Sequence, residues 1–292
     1  MSGIFGLLAA ILSSSLGGTA IGATRYLADI LDPITIGAIR FGGGFLVLLP
    51  IALLRQDKWP PPSDRIGVGA LGLLFFALFP VLFNASLIFT TAARGALALS
   101  TVPLLTMLVA ALLRIERLTW RKTAGVFIAM AGVATALAAG LSNAPVGAWR
   151  GDLLMVSAAF CMALYNVWSR PFISRSSSIP FAAAGMGVGA LALTLIAPFI
   201  GTPGDILTLT DIQWIACLYL AAICGAFVFF LWAYALGKTS PTLVALSVAC
   251  NPITASIFGA LLLNEPITLN LVVGLIAVIA GIVMASTSKQ LD

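Results

Sequence analysis

The residue with the most chemistry to offer is Arg40, a guanidinium about two turns into an apolar stretch that starts at Pro33. A cation there must face protein or water, and its natural partner is a carboxylate held by two parallel hydrogen bonds. Gly37 and Gly44 flank it at three residues before and four after, so a helix or a ligand can approach closely. The competing role is structural: the side chain snorkels outward or pairs with Asp29, Asp32 or a helix end. Other reactive groups are sparse. The chain has no histidine, which excludes an imidazole base, a His-ligated metal and a His proton relay. No Asp or Glu lies in the middle of an apolar stretch, which argues against a carboxylate relay for protons. Cys161, Cys217, Cys224 and Cys250 sit in apolar runs without a CxxC pair and read as small buried hydrophobes. Neither paired membrane aspartates nor HExxH nor a Ser/His pair is present, so an intramembrane protease is not expected. No cofactor and no metal is called for.

A few polar and aromatic side chains complete the candidate set. Ser13, Ser14, Ser15 and Thr19 mark the first apolar stretch, and Asn84, Asn166 and Asn251 lie in later ones. An amide in hydrocarbon must face protein or water. Asn251 is placed to bond the carbonyl that Pro252 frees. Phe76, Phe79 and Phe83 recur at helical spacing ahead of Asn84, Tyr165 and Trp168 share a face, and Phe227, Phe230 and Tyr234 share another. Such stripes also describe core or lipid-facing rings. The candidate substrate-binding residues are Arg40, Ser14, Asn84, Phe79, Phe83, Tyr165, Trp168, Phe230 and Tyr234. Together they would line a mostly apolar cavity with few polar anchors. That suits a neutral, partly apolar solute such as an amino acid. It suits a nucleotide sugar poorly, because phosphates would want several deep basic groups.

The elements that position these residues follow from composition. Of 292 residues, 61% are apolar and 9% charged, against about 45–50% and about 25% in soluble domains. This excludes a disordered chain and an electrostatic nucleic-acid binder, and leaves an all-α integral membrane protein. A spanning helix needs roughly 20 apolar residues. Ten such stretches run at 3–23, 33–54, 66–89, 93–114, 120–141, 151–170, 180–201, 211–236, 241–263 and 267–287. Their connections are short, and no loop is long enough for a soluble domain. With the N-terminus in the cytoplasm, eleven Lys and Arg fall on that side, against Arg25, Arg94 and Arg150 opposite. The positive-inside rule then puts both termini in the cytoplasm. This also accounts for the net charge of +5 without an acidic partner.

At an offset of 149, residues 85–137 align with 234–286 without a gap. Pro103 meets Pro252, Glu116 meets Glu265, Thr119 meets Thr268, Gly125 meets Gly274 and Gly132 meets Gly281. Matched Pro, Glu, Thr and Gly in register are hard to obtain by chance. Five spans is an odd number, so the second half must enter the membrane from the opposite side. The halves, 1–142 and 150–292, are therefore expected to form two inverted five-helix repeats, the architecture of secondary transporters. Pro103 and Pro252 each remove a backbone hydrogen bond and serve either as gating hinges or as static kinks. Glu116 and Glu265 sit in tight hairpins, where a carboxylate accepts from orphan N–H groups at a helix start; a gating contact between halves is the alternative. The glycine pairs read as close helix packing.

This doubled pattern of Pro, then Glu-x-x-Thr, then paired glycines resembles the drug/metabolite transporter superfamily, specifically its EamA-type branch. Within the branch, length and aromatic-rich spans are similar to the YddG-type amino-acid exporters. The resemblance implies ten spans around a central cavity, and alternating-access export of small metabolites, amino acids with large neutral or aromatic side chains first. Another small metabolite or a cationic drug is the alternative substrate, and a non-transporting membrane scaffold the alternative class. It also implies a bacterial inner-membrane location and two partners, a small-molecule substrate and the bilayer. Nothing in the sequence calls for an oligomer.

Overall fold

The computed structural model describes residues 2–28, 30–90, 92–138, 146–254 and 269–287. Among the described residues every regular element is helical: α1 (Ser2–Ala28), α2 (Pro33–Leu54), α3 (Arg65–Leu73), α4 (Phe79–Phe89), α5 (Ala92–Leu99), α6 (Val102–Leu112), α7 (Trp120–Leu137), α8 (Ala148–Arg175), α9 (Ser178–Ile200), α10 (Asp211–Tyr219), α11 (Val228–Lys238), α12 (Pro241–Leu246) and α13 (Leu269–Ser286). Among the described residues, seven helical stretches are long and apolar enough to cross a membrane: Gly3–Ala20, Pro33–Leu54, Pro62–Ser86, Arg94–Leu112, Ala148–Arg175, Ser178–Ile200 and Asp211–Lys238. Pro241–Thr254 and Val272–Ser286 are apolar but shorter. The α7 helix has eighteen residues, but Arg121 and Lys122 open it, and it is not among the seven. Glu265, Thr268, the end of the expected ninth span and the start of the tenth lie outside the described residues, as does 139–145.

Several irregularities recur at the repeat offset. A π-helical turn, Leu74–Leu78, joins α3 to α4, and another, Leu220–Phe227, joins α10 to α11. Adding 149 to 74–78 gives 223–227, inside the second turn. The expected fourth span breaks at Ser100 and Thr101, between α5 and α6, and the ninth breaks at a 3-10 turn, Ser247–Ala249. Pro103 lies in the first turn of α6. The missing N–H of a proline costs little in a first turn, where that donor has no intrahelical partner. The proline thus follows a break in the span rather than bending a continuous helix.

Helix ends are held by the polar residues beside them. Asp32 caps α2, accepting from the N–H of Ile34 at 2.9 Å and of Thr35 at 3.1 Å, with Pro33 at the first helical position. The same carboxylate accepts from the Thr202 N–H at 2.9 Å, tying the start of α2 to the loop after α9. Burial pushes the Asp32 carboxyl up, but hydrogen bonds from Thr35, Thr202 and Ile34 outweigh it and hold the group below its ordinary value. At the other end of the bundle, α6 terminates in Arg114 with φ 57°, in the left-handed region. The reversal lets the Ile115 N–H donate to the Ala110 carbonyl at 2.8 Å, and the chain turns into α7.

The glycine pairs form one seam. A Cβ on Gly125 would sit 2.6 Å from the Gly281 carbonyl oxygen, and one on Gly132 would sit 2.8 Å from that of Gly274. The helices α7 and α13 therefore pack antiparallel at a separation only glycine permits.

Candidate functional site

A central cavity with about 870 Å³ of empty space, its solvent-open part included, lies between α1, α2, the α3–α4 pair, α8, α11 and the 248–251 stretch. Ser13, Ser14, Gly17 and Thr24 line it from α1, and Gly37, Arg40 and Phe41 from α2. Phe75, Phe79, Phe83 and Asn84 line it from the α3–α4 pair. Met162, Val228, Phe229, Trp232 and Asn251 complete the wall. Thr24, Ile36 and Asn84 lie within about two turns of the helix ends at Asp32. The lining stops well short of the opposite end, where Glu116 sits. The cavity thus extends from mid-bundle toward the Asp32 end.

Close backbone approach seats Arg40. Gly43 and Gly44 lie against Ala221 and Gly225, and a Cβ on Gly225 would sit 2.4 Å from the Arg40 carbonyl oxygen. The contact falls on the π turn Leu220–Phe227. There Arg40 donates to the Cys224 carbonyl from Nη2 at 3.1 Å and from Nε at 3.4 Å. A π turn loosens the regular hydrogen-bond ladder, which suits a carbonyl that takes an outside donor. The guanidinium carbon also lies 5.4 Å from the Phe41 ring centroid and 5.6 Å from that of Phe229, in cation–π range. Among the described residues Arg40 has no carboxylate partner. Of the partners that the competing structural role would give it, Asp32 is not used, because that carboxylate is committed to the cap of α2 and to Thr202, and Asp29 lies outside the described residues.

The Glu116 end is closed by polar contacts between elements. Glu116 and Lys122 form a buried ion pair at 2.8 Å, with side chains 3% and 5% exposed. The other Glu116 oxygen accepts from the Thr242 N–H at 3.1 Å, at the start of α12 in the second half. Glu116 thus accepts from a helix of the other half, the contact between halves that was the alternative, and not from the N–H groups at the start of α7, whose cap is Thr119. Arg175 grips Asp64 with two hydrogen bonds, 2.7 and 3.1 Å. The Ser177 N–H donates to the Lys58 carbonyl at 2.8 Å.

Of the nine expected substrate-facing residues, Arg40, Ser14, Asn84, Phe79 and Phe83 come together on the cavity wall. The Ser14 hydroxyl is shared with that of Ser247 at 2.7 Å, and Asn84 donates to the Pro33 carbonyl at 3.2 Å. Tyr165, Trp168, Phe230 and Tyr234 do not line the cavity. Tyr165 is buried behind the wall, stacked on Phe75 with centroids 4.1 Å apart. Trp168 is 44% exposed on the outside of α8. Phe230 stacks loosely between Phe227 and Tyr234, with centroids 6.5 and 6.3 Å away, on a different face from Val228, Phe229 and Trp232.

The π turns bear on the facing of the third and eighth expected spans, whereas Tyr165 and Trp168 lie on α8, a continuous helix that simply turns these two rings away from the cavity. A π turn inserts one residue, which rotates everything after it relative to an uninterrupted helix. In the third expected span the lining stripe becomes Phe75, Phe79 and Phe83, and Phe76 falls into the core. In the eighth the turn ends immediately before Val228, and the cavity face becomes 228, 229 and 232. Phe75, Phe229 and Trp232 were thus missing from the expected set, although Trp232 stands out in sequence as a tryptophan deep within a span. Asn251 lies on the cavity wall, and its Oδ1 is buried without a hydrogen-bond partner among the described residues.

Comparison with known proteins agrees with this architecture. The profile of the EamA-like transporter family matches the chain twice, over residues 2–138 and 149–287. An uncharacterised transporter of Archaeoglobus fulgidus is 26% identical over 274 residues, 93% of this chain and 95% of that one. A protein of Streptantibioticus cattleyicolor named "Probable terminal-alkyne amino-acid exporter" is 27% identical over 77% of this chain and 74% of its own length. A solved crystal structure, 21% identical, superposes with a TM-score of 0.80 over 98% of this chain and 96% of that one, and so shares the fold. Both halves of the chain thus carry the same family unit around a central cavity: the protein belongs to the EamA-like transporter family, and is a membrane transporter rather than an enzyme.

Proposed function

We propose that the protein is a ten-span carrier that exports amino acids with large neutral or aromatic side chains, by alternating access between two oppositely inserted five-helix halves. The carrying observation is the Arg40 guanidinium on the cavity wall, with aromatic rings beside it and a neutral carbonyl as its partner. A free carboxylate fits this group and gains charge-assisted hydrogen bonds in a site of low dielectric. Phe41, Phe75, Phe79 and Phe229 then offer aromatic surface to an apolar side chain. The unpartnered Asn251 Oδ1 supplies an acceptor for the substrate's ammonium group. A cationic drug would meet Arg40 as a repulsive charge. The named activity of the Streptantibioticus relative is of the same substrate class.

With both termini in the cytoplasm of a bacterial cell, the Asp32 end faces outward and the Glu116 end faces inward. The described state is then open outward and closed inward by Glu116, Lys122 and Thr242. Pro103 and Pro252, beside the breaks in their spans, are the hinges of the exchange between states. The test is counterflow in proteoliposomes with a panel of amino acids, cationic drugs and nucleotide sugars. Uptake of phenylalanine or leucine against preloaded unlabelled solute is expected. Exchange of drugs or nucleotide sugars alone would overturn the reading.

A further inference from the structure

Trp232 lines the cavity, yet its indole nitrogen is turned away from a solute and donates to Asn166 Oδ1 at 3.0 Å. Asn166 is fully buried on α8, and its amide nitrogen donates onward to Thr106 Oγ1 at 3.4 Å. Thr106 is also fully buried, on α6, one turn after Pro103. Three helices are thereby linked by one polar chain: α6 of the first half, and α8 and α11 of the second. In a membrane interior an unpaired indole N–H or amide is costly, so each bond restricts the orientation of its donor. Tryptophan has only two side-chain torsions, and fixing the nitrogen fixes the plane of the ring.

We propose that Asn166 is a positioning residue that sets the solute selectivity of the carrier by holding Trp232 against the cavity. Asn166 touches no solute itself. It orients the largest ring on the wall, and that ring determines how large a side chain the cavity accepts. The link to Thr106 places this ring under the influence of α6. The inference rests on the proposed transport function for one of its two tests and is independent of it for the other.

The first test compares counterflow of phenylalanine and alanine in the wild type, Asn166→Leu and Thr106→Val, each with and without Trp232→Phe. Asn166→Leu should change the phenylalanine-to-alanine ratio about tenfold, and Thr106→Val about threefold in the same direction. In a Trp232→Phe background, where no indole N–H needs a partner, both changes should fall below about twofold. An equal change with and without Trp232, or none with it, would overturn the proposal. The second test keeps Trp232 as the sole tryptophan, the other five replaced by Phe. Asn166→Leu or Thr106→Val should lower its fluorescence anisotropy, because the ring gains freedom. An unchanged anisotropy in whichever of these variants folds would also overturn it. Absence of any amino-acid counterflow in wild type would refute the proposed function alone, since the anisotropy reads Trp232 directly.

Discussion

Glu116→Gln removes one charge of a pair that is almost fully enclosed. The side chains of Glu116 and Lys122 are 3% and 5% exposed, so the orphaned ammonium has little water to turn to. Glutamine still presents an oxygen to the Thr242 N–H, so this variant isolates the loss of charge from the loss of the bond between halves. Breaking a buried pair by removing one partner costs about 3–5 kcal/mol. At roughly 2–4 °C per kcal/mol for a chain of this order of length, the melting temperature should drop by about 6–20 °C. The double variant Glu116→Gln, Lys122→Met removes both charges and keeps an apolar chain in the Lys122 site. Replacing a buried pair by apolar groups of similar volume is often neutral, so most of the loss should return. Thermal unfolding in detergent with a thiol-reactive fluorophore suits a Cys250→Ala background, because Cys161, Cys217 and Cys224 are buried and react only on unfolding, whereas Cys250 is half-buried. A single variant within about 2 °C of wild type, or a double variant no better than the single, would refute this reasoning.

Three further outcomes follow from the geometry. Gly132→Ala would drive a methyl to within 2.8 Å of the Gly274 carbonyl and should cost about 1–3 kcal/mol, whereas Gly69→Ala, in a helix with nothing within 4 Å, should be neutral or gain about 0.5–1 kcal/mol; unfolding midpoints separate the two. Asp32→Ala should cost about 0.5–2 kcal/mol at neutral pH through the lost cap of α2. The Asp32 carboxyl is held below its ordinary value in the fold, so its contribution is fully present above about pH 4 and is lost as pH falls through that lowered value. The gap in melting temperature between wild type and Asp32→Ala should therefore close in acid and not in base. Gly225→Ala would force its methyl to 2.4 Å from the Arg40 carbonyl oxygen, pushing α2 off the Cys224 carbonyl, and should weaken solute binding roughly tenfold in competition assays.

The helical architecture was legible because hydrophobic run length and short connections state it directly, and because Pro, Glu, Thr and Gly recur at one offset. Close packing at the two glycine pairs was legible too, because glycine has few roles inside an apolar helix other than close approach; that the pairs meet each other, Gly125 at Gly281 and Gly132 at Gly274, was not. The site was only partly legible. Arg40 stands out as a cation in hydrocarbon, and Asn84 as an amide, so chemistry alone marks them. Facing is another matter in an apolar helix, where Phe229 and Phe230 are chemically identical. Only the π turn ahead of Val228 decides which of them meets the cavity. A π turn has no strong sequence signature. Nor does local spacing announce that Glu116 will reach Thr242, because that contact joins residues 126 positions apart.

The central claim is that Arg40 reads a carboxylate. Its most direct measurement is competition against labelled phenylalanine in proteoliposomes by unlabelled phenylalanine and by phenylalaninamide, which lacks the carboxylate charge. The wild-type carrier should favour phenylalanine by roughly tenfold or more, the size of a lost charge-assisted hydrogen bond. Arg40→Gln should bring the two competitors to within about twofold. Equal competition in wild type, or a preference that survives in a folded Arg40→Gln carrier, would contradict the claim.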